Sequence, residues 1–122
     1  MNYDQAKRQV LDDLHLKDLL EHLRKELAKQ PKPTIGELIQ ILSEKIVECA
    51  IAKHRASMQT DFEFEKIDIM RYFPILWVIL IEDYPEQCIS EYALFEDEQI
   101  QECHKLLKNS CRQQYISYIQ NL

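Results

Sequence analysis

Four carboxylates on two neighbouring segments are the residues whose types and spacing suggest metal chemistry. Glu44 and Glu48 lie four residues apart in SEKIVECA, and Glu65 and Asp68 lie three apart in EKIDIMRYF. Residues three or four apart share one face of an α-helix, so each pair would project together. Mg²⁺ prefers such oxygen ligands and can hold the phosphates of a nucleotide. The spacing therefore indicates a candidate magnesium site between two facing helices.

The same two runs resemble the all-α nucleotide pyrophosphohydrolases of the MazG type, which pair an E-x-x-E helix with an E-x-x-D helix. On that resemblance Glu48, Glu65 and Asp68 match three of the four metal-binding carboxylates, and Lys45 stands at the remaining position. The resemblance implies a Mg²⁺-dependent enzyme that acts on nucleotides. In the alternative interpretation, these side chains only make salt bridges on solvated helix faces.

Negative charge is concentrated in the second half of the chain. The net charge is −6, and twelve of the 21 carboxylates lie between residues 61 and 104, where only two residues are basic. Such a surface repels the phosphates of nucleic acid and attracts a basic protein surface. We therefore expect a protein partner with a basic patch and no direct binding of nucleic acid. The alternative is a solvated face that only confers solubility.

Aromatic side chains lie among these carboxylates, and aromatic anchors within a polar rim are typical of stable interfaces. The predicted partner-binding residues are Glu82, Asp83, Tyr84, Glu91, Tyr92, Phe95, Glu96, Asp97 and Glu98. The preferred hypothesis is a small acidic interaction module, such as an adaptor, inhibitor or effector, rather than an enzyme. A second hypothesis is a homodimer formed through the C-terminal residues Tyr115, Tyr118 and Ile119.

Composition disfavours other kinds of site. The one glycine, Gly36, cannot build a phosphate-binding loop, which needs several. The cysteines show no C-x-x-C pairing and are predicted to be reduced and mostly buried; they are Cys49, Cys88, Cys103 and Cys111. We predict no catalytic residue and, outside the magnesium alternative, no cofactor.

Apolar periodicity predicts an all-α fold, a compact single-domain bundle of five or six helices over residues 1–122. The leucines between 10 and 27 predict one long helix, or two with a break near His15. Thr34 and Glu37 form a capping box that starts a helix running to about Met58. Thr60 and Glu63 repeat this signature and predict a third helix through Ile67, Met70 and Phe73. A last helix is expected from about Asp97 to the C-terminus.

The run FPILWVILI, residues 73–81, is apolar on every side, which is typical of a helix in the middle of a bundle. Residues 74–82 are the best candidate for this central helix. Pro74 suits the first turn of this helix, and Trp77 is expected to lie in the core. Nine apolar residues are too few to cross a bilayer, and MNYDQAKRQVLDDL lacks the apolar core of a signal peptide. We expect a cytoplasmic protein with no membrane partner; secretion by a signal-independent route is the alternative.

Overall fold

The computed structural model describes residues 2–30, 33–56, 68–84 and 97–121. Within these residues the chain forms five α-helices and one 3-10 turn, and no strand, so the predicted all-α bundle is confirmed. The elements are α1 (Tyr3–Asp12), α2 (Leu14–Leu27), α3 (Ile35–Ala56), the 3-10 turn (Ile69–Tyr72), α4 (Phe73–Glu82) and α5 (Asp97–Gln120).

The N-terminal region forms two helices, as in the second of the two predicted arrangements, and the break falls at Asp13. The backbone of Asp13 is extended, with φ −100° and ψ 108°, which ends α1. Its carboxylate then accepts hydrogen bonds from the amides of His15 at 3.0 Å and Leu16 at 3.3 Å, which caps α2. The five leucines that repeat at helical spacing along α2 are all buried: Leu16, Leu19, Leu20, Leu23 and Leu27.

The break also corrects part of the apolar stripe. Leu11 and Leu14 continue the helical spacing of Val10 in sequence, yet their exposed fractions are 53% and 75%, whereas Val10 is buried. Because the chain turns at Asp13, these two leucines fall on the outside of the corner between α1 and α2. The buried partner of Val10 on α1 is Ala6.

Helix α3 begins at the predicted cap, where the Thr34 hydroxyl accepts a hydrogen bond from the Glu37 amide at 3.2 Å. Four apolar residues at helical spacing along α3 are buried: Leu38, Ile39, Leu42 and Ile46. Ser43 and Val47 are buried as well, although the sequence reasoning left them out. They widen the buried face of α3 toward α5.

The third predicted helix is described only from residue 68 onward. In that part the prediction is wrong, because Met70 does not lie in an α-helix. Asp68 lies outside any helix, residues 69–72 form a 3-10 turn, and the next α-helix begins at Phe73 with Pro74 in its first turn. The start predicted at Thr60 and Glu63 lies outside the described residues, as does Ile67.

Helix α4 is the central element of the bundle, as the apolar run predicts. Every side chain from Phe73 to Leu80 is buried, and Trp77 is fully enclosed with its ring 4.7 Å from that of Phe73. Helices α1, α2 and α3 all pack against α4. Within the described segments no helix has the length and apolar composition to cross a membrane.

Helices α3 and α5 form the other main contact and run in the same direction. Ser43 is fully buried on α3; its hydroxyl donates to the Gln40 carbonyl at 2.8 Å and lies 2.6 Å from the Ser110 hydroxyl. One turn further along α3, Val47 lines the same cavity as Gln114 of α5. The two helices thus advance together toward their C-terminal ends.

Candidate functional site

The predicted partner-binding residues Glu82 and Asp83 lie at the end of α4, where cations of this chain surround them. One oxygen of Glu82 accepts from the Lys7 ammonium at 2.7 Å and from the Tyr3 hydroxyl, and the other accepts from Arg24 Nη2 at 2.8 Å. Arg24 Nε donates to Asp83 at 2.8 Å. Tyr3 and Lys7 belong to α1 and Arg24 to α2, so the cluster fastens both helices to α4.

The cluster holds the carboxylate of Glu82 ionised. Hydrogen bonds from Lys7 and Tyr3 lower the pKa of Glu82 from 4.5 to about 2. Tyr84, the third predicted residue of this group, is half-buried beside the core, and burial raises the pKa of its phenol. Two of the predicted partner-binding anions, Glu82 and Asp83, are therefore ion-paired within the fold, and their role in binding a partner stays a prediction.

The rest of the predicted surface is described only in part. Glu91, Tyr92, Phe95 and Glu96 lie outside the described residues. Asp97 begins α5, and Glu98 is exposed in the first turn of that helix. Acidic residues at a helix start complement the macrodipole, so their position there has a structural explanation too.

The four carboxylates of the magnesium alternative are not seen together. Glu44 and Glu48 are exposed on α3, Asp68 is exposed ahead of the 3-10 turn, and Glu65 lies outside the described residues. Lys45 forms an ion pair with Glu48 at 3.5 Å. Among the described side chains no group of three His, Cys, Asp or Glu is placed to hold a metal ion. The magnesium reading remains a prediction from sequence.

Glu44 and Glu48 instead border a groove between α3 and α5 with a volume of about 370 Å³. Val47, Ile51 and Ala52 of α3 and Tyr118 of α5 give it an apolar floor, and Gln114 adds an amide. Of these, Val47 is buried, Ile51 and Tyr118 are half-buried, and Ala52 is exposed. The groove therefore exposes apolar surface that the bundle leaves partly uncovered.

The electrostatic character of this groove is negative. Glu48 keeps 70% of its side chain exposed, and Glu44 is exposed while accepting a hydrogen bond from the Gln40 amide at 3.2 Å. Tyr118 lies in the last turn of α5, which contains no basic residue to balance the partial negative charge of the helix end. The carboxylates and the helix end both favour a cation at this position.

The described cysteines lack the features of a nucleophile. Burial raises the pKa of Cys49 and of Cys103, and it raises that of Cys111 to about 12, so these thiols stay protonated at neutral pH. All three are free, as predicted, though only Cys111 is fully buried; Cys88 lies outside the described residues. His104, next to Cys103, packs its ring against Phe73, and burial lowers its pKa.

Sequence reasoning missed the groove because its lining belongs to several different patterns. Glu44 and Glu48 were singled out for a metal, Tyr118 for self-association, and Val47, Ile51, Ala52 and Gln114 for no role. An i,i+4 pair of glutamates beside Val47 and Ile51 was the available signal. It identifies a helix face with acid next to apolar residues, but it does not identify the second helix.

Comparisons of this chain with protein-family models, with curated proteins and with solved structures found no match.

Proposed function

We propose that this protein is a small helical module that binds another protein, and that the groove between α3 and α5 is its binding surface. The observation that supports the proposal is an apolar floor that the bundle covers only in part: Ile51 is half-buried and Ala52 is exposed beside the buried Val47. The carboxylates of Glu44 and Glu48 border this floor. An apolar centre within a polar rim is the usual anatomy of a protein interface. The adaptor, inhibitor and effector roles all need such a surface.

The carboxylates that border the proposed surface, Glu44 and Glu48, differ from those that the sequence predicts to bind a partner. Glu82 and Asp83 are paired with Lys7 and Arg24, so a partner would have to break these ion pairs to use them. Among the described side chains, Glu48 contacts only Lys45, at 3.5 Å within its own helix, and 70% of the Glu48 side chain stays in solvent. Because the Glu48 side chain is mostly in solvent and the contact is long, this ion pair contributes little to stability, so a cation from a partner can replace it at small cost.

A site-specific crosslinking experiment tests the proposal. A photoreactive amino acid replaces Ala52, which is exposed at the groove, and a matched variant carries it at Glu21, which is exposed on α2. After irradiation in the cells that produce the protein, we expect one protein linked through position 52 and absent from the position 21 sample. Equal labelling at both positions, or no adduct at position 52, would contradict the proposal.

A further inference from the structure

We infer that the occupant of the groove is a cationic amphipathic helix of the partner protein, an inference that rests on the proposed function. Glu44 and Glu48 are four residues apart, so their carboxylates are separated by one turn, about 6 Å along α3. Lysine or arginine side chains one turn apart on a partner helix have the same spacing. Each of the two carboxylates on α3 would then lie opposite one cation of the partner helix.

The shape of the groove favours a helix over an extended peptide. Its floor lies between two helices that run in the same direction, and its α3 lining spans residues 44–52, about 12 Å or two turns. No strand edge is available among the described residues to pair with an extended chain. A helix laid between two others buries an apolar stripe of residues one turn apart, as helices do when they recognise hydrophobic grooves.

Electrostatics favours cations over anions at both sides of this groove. On α3, Glu44 and Glu48 lie on the solvent side of Val47 and Ile51. A partner helix whose apolar stripe contacts Val47 and Ile51 would therefore place the side chains that flank this stripe beside the two carboxylates. On α5, the last turn carries the unbalanced negative end of the helix dipole. An anionic helix would face repulsion from both elements, so charge selects the partner as well as attracting it.

The probe is a library of displayed peptides of about 18 residues, long enough to form isolated helices, with leucines on one face and random charges beside them. Selection on the unmodified protein is expected to enrich lysine and arginine one turn apart. The best peptide should bind roughly tenfold more weakly to Glu44→Lys/Glu48→Lys at low salt, and the same peptide with glutamates should prefer that variant. A control of equal net charge is Glu21→Lys/Glu102→Lys, which should bind like the parent.

Other outcomes overturn the inference. Enriched acidic peptides, no enrichment, or equal losses in the groove and control variants would each do so. Dimers that sedimentation detects in the parent but not in Ile51→Asp would show a second copy in the groove. Circular dichroism verifies that each variant is folded. If crosslinking at position 52 captures a protein whose linked segment is acidic, the proposed function stands and only the inference fails.

Discussion

The carboxylates on the two sides of the bundle have opposite environments: on one side they are ion-paired, and on the other they face solvent. Where α1 and α2 meet α4, Glu82 and Asp83 are bound by Lys7 and Arg24, and near the α1–α2 corner Arg71 binds Asp13 at 2.6 Å. Where α3 meets α5, the hydroxyls of Ser43 and Ser110 form a hydrogen bond between the helices, and Glu44 and Glu48 face solvent. Carboxylates that pair with distant parts of the chain support the fold. The carboxylates beside the groove stay in solvent, and under the proposed function they meet a partner.

The largest difference between the two sides should appear when an apolar side chain is shortened. Leu16 of α2 is completely buried, so Leu16→Ala should lower the free energy of unfolding by about 2–5 kcal/mol through lost contacts and a cavity. Ile51 in the groove is half-buried, so Ile51→Ala should cost about 1 kcal/mol. Urea unfolding of both variants measures the contrast. Equal losses would show that the groove is as closed as the core.

A smaller difference is expected when one carboxyl on each side is neutralised. At pH 7, Glu82→Gln should cost about 1–2 kcal/mol, allowing for solvent screening of a side chain that is 29% exposed, whereas Glu48→Gln should stay within about 0.5 kcal/mol. A similar loss of stability in both variants would show that Glu48 supports the fold as much as Glu82 does, and would contradict the comparison.

The pH dependence sharpens the same test. The pKa of Glu82 is about 2 in the folded protein against its ordinary 4.5, so the folded state favours the ionised form. Its contribution to stability is complete above pH 4.5 and is lost as pH falls from about 4.5 toward 2. Thermal unfolding should therefore show the gap between the parent and Glu82→Gln closing over that range. A gap that persists at pH 2 would contradict the assigned pKa.

The smallest effect is expected at the hydroxyl pair between α3 and α5. Ser43→Ala removes a buried hydroxyl that donates to the Gln40 carbonyl and contacts Ser110, which should cost about 1 kcal/mol. Ser110 retains a hydrogen bond to the Gln40 side chain at 3.3 Å, which limits the loss. The matched control is Ser117→Ala, on the exposed surface of α5, which should be neutral in urea unfolding. A neutral Ser43→Ala would show that apolar packing alone joins the two helices.

Local patterns in the sequence predicted most helices but not how they bend or change type. Thr34 and Glu37 identified the start of α3, and Pro74 the first turn of α4, because caps and prolines act within one turn of the chain. Met70 was placed on an α-helical stripe, yet it lies in a 3-10 turn with 53% of its surface exposed. Three residues of helical spacing do not distinguish these helix types.

The candidate site was less predictable than the fold. Glu82 and Asp83 were predicted to bind a partner because they belong to an acidic segment that contains aromatic residues. No local pattern indicates that Lys7 and Arg24 reach them from helices more than fifty residues away. Tyr118 and Ile51 form one groove although sixty-seven residues separate them. Neither of these contacts between distant helices produces a periodic pattern in a single sequence.

The sequence by itself determined that this chain is helical, that residues 74–82 form its central helix and that Trp77 is buried. These properties follow from apolar periodicity and from a run too apolar to remain in water. Only the tertiary structure decided which carboxylates are neutralised and which border a groove. Charge pairing depends on distances of a few ångströms between helices remote in sequence, and those distances exist only once the helices have packed.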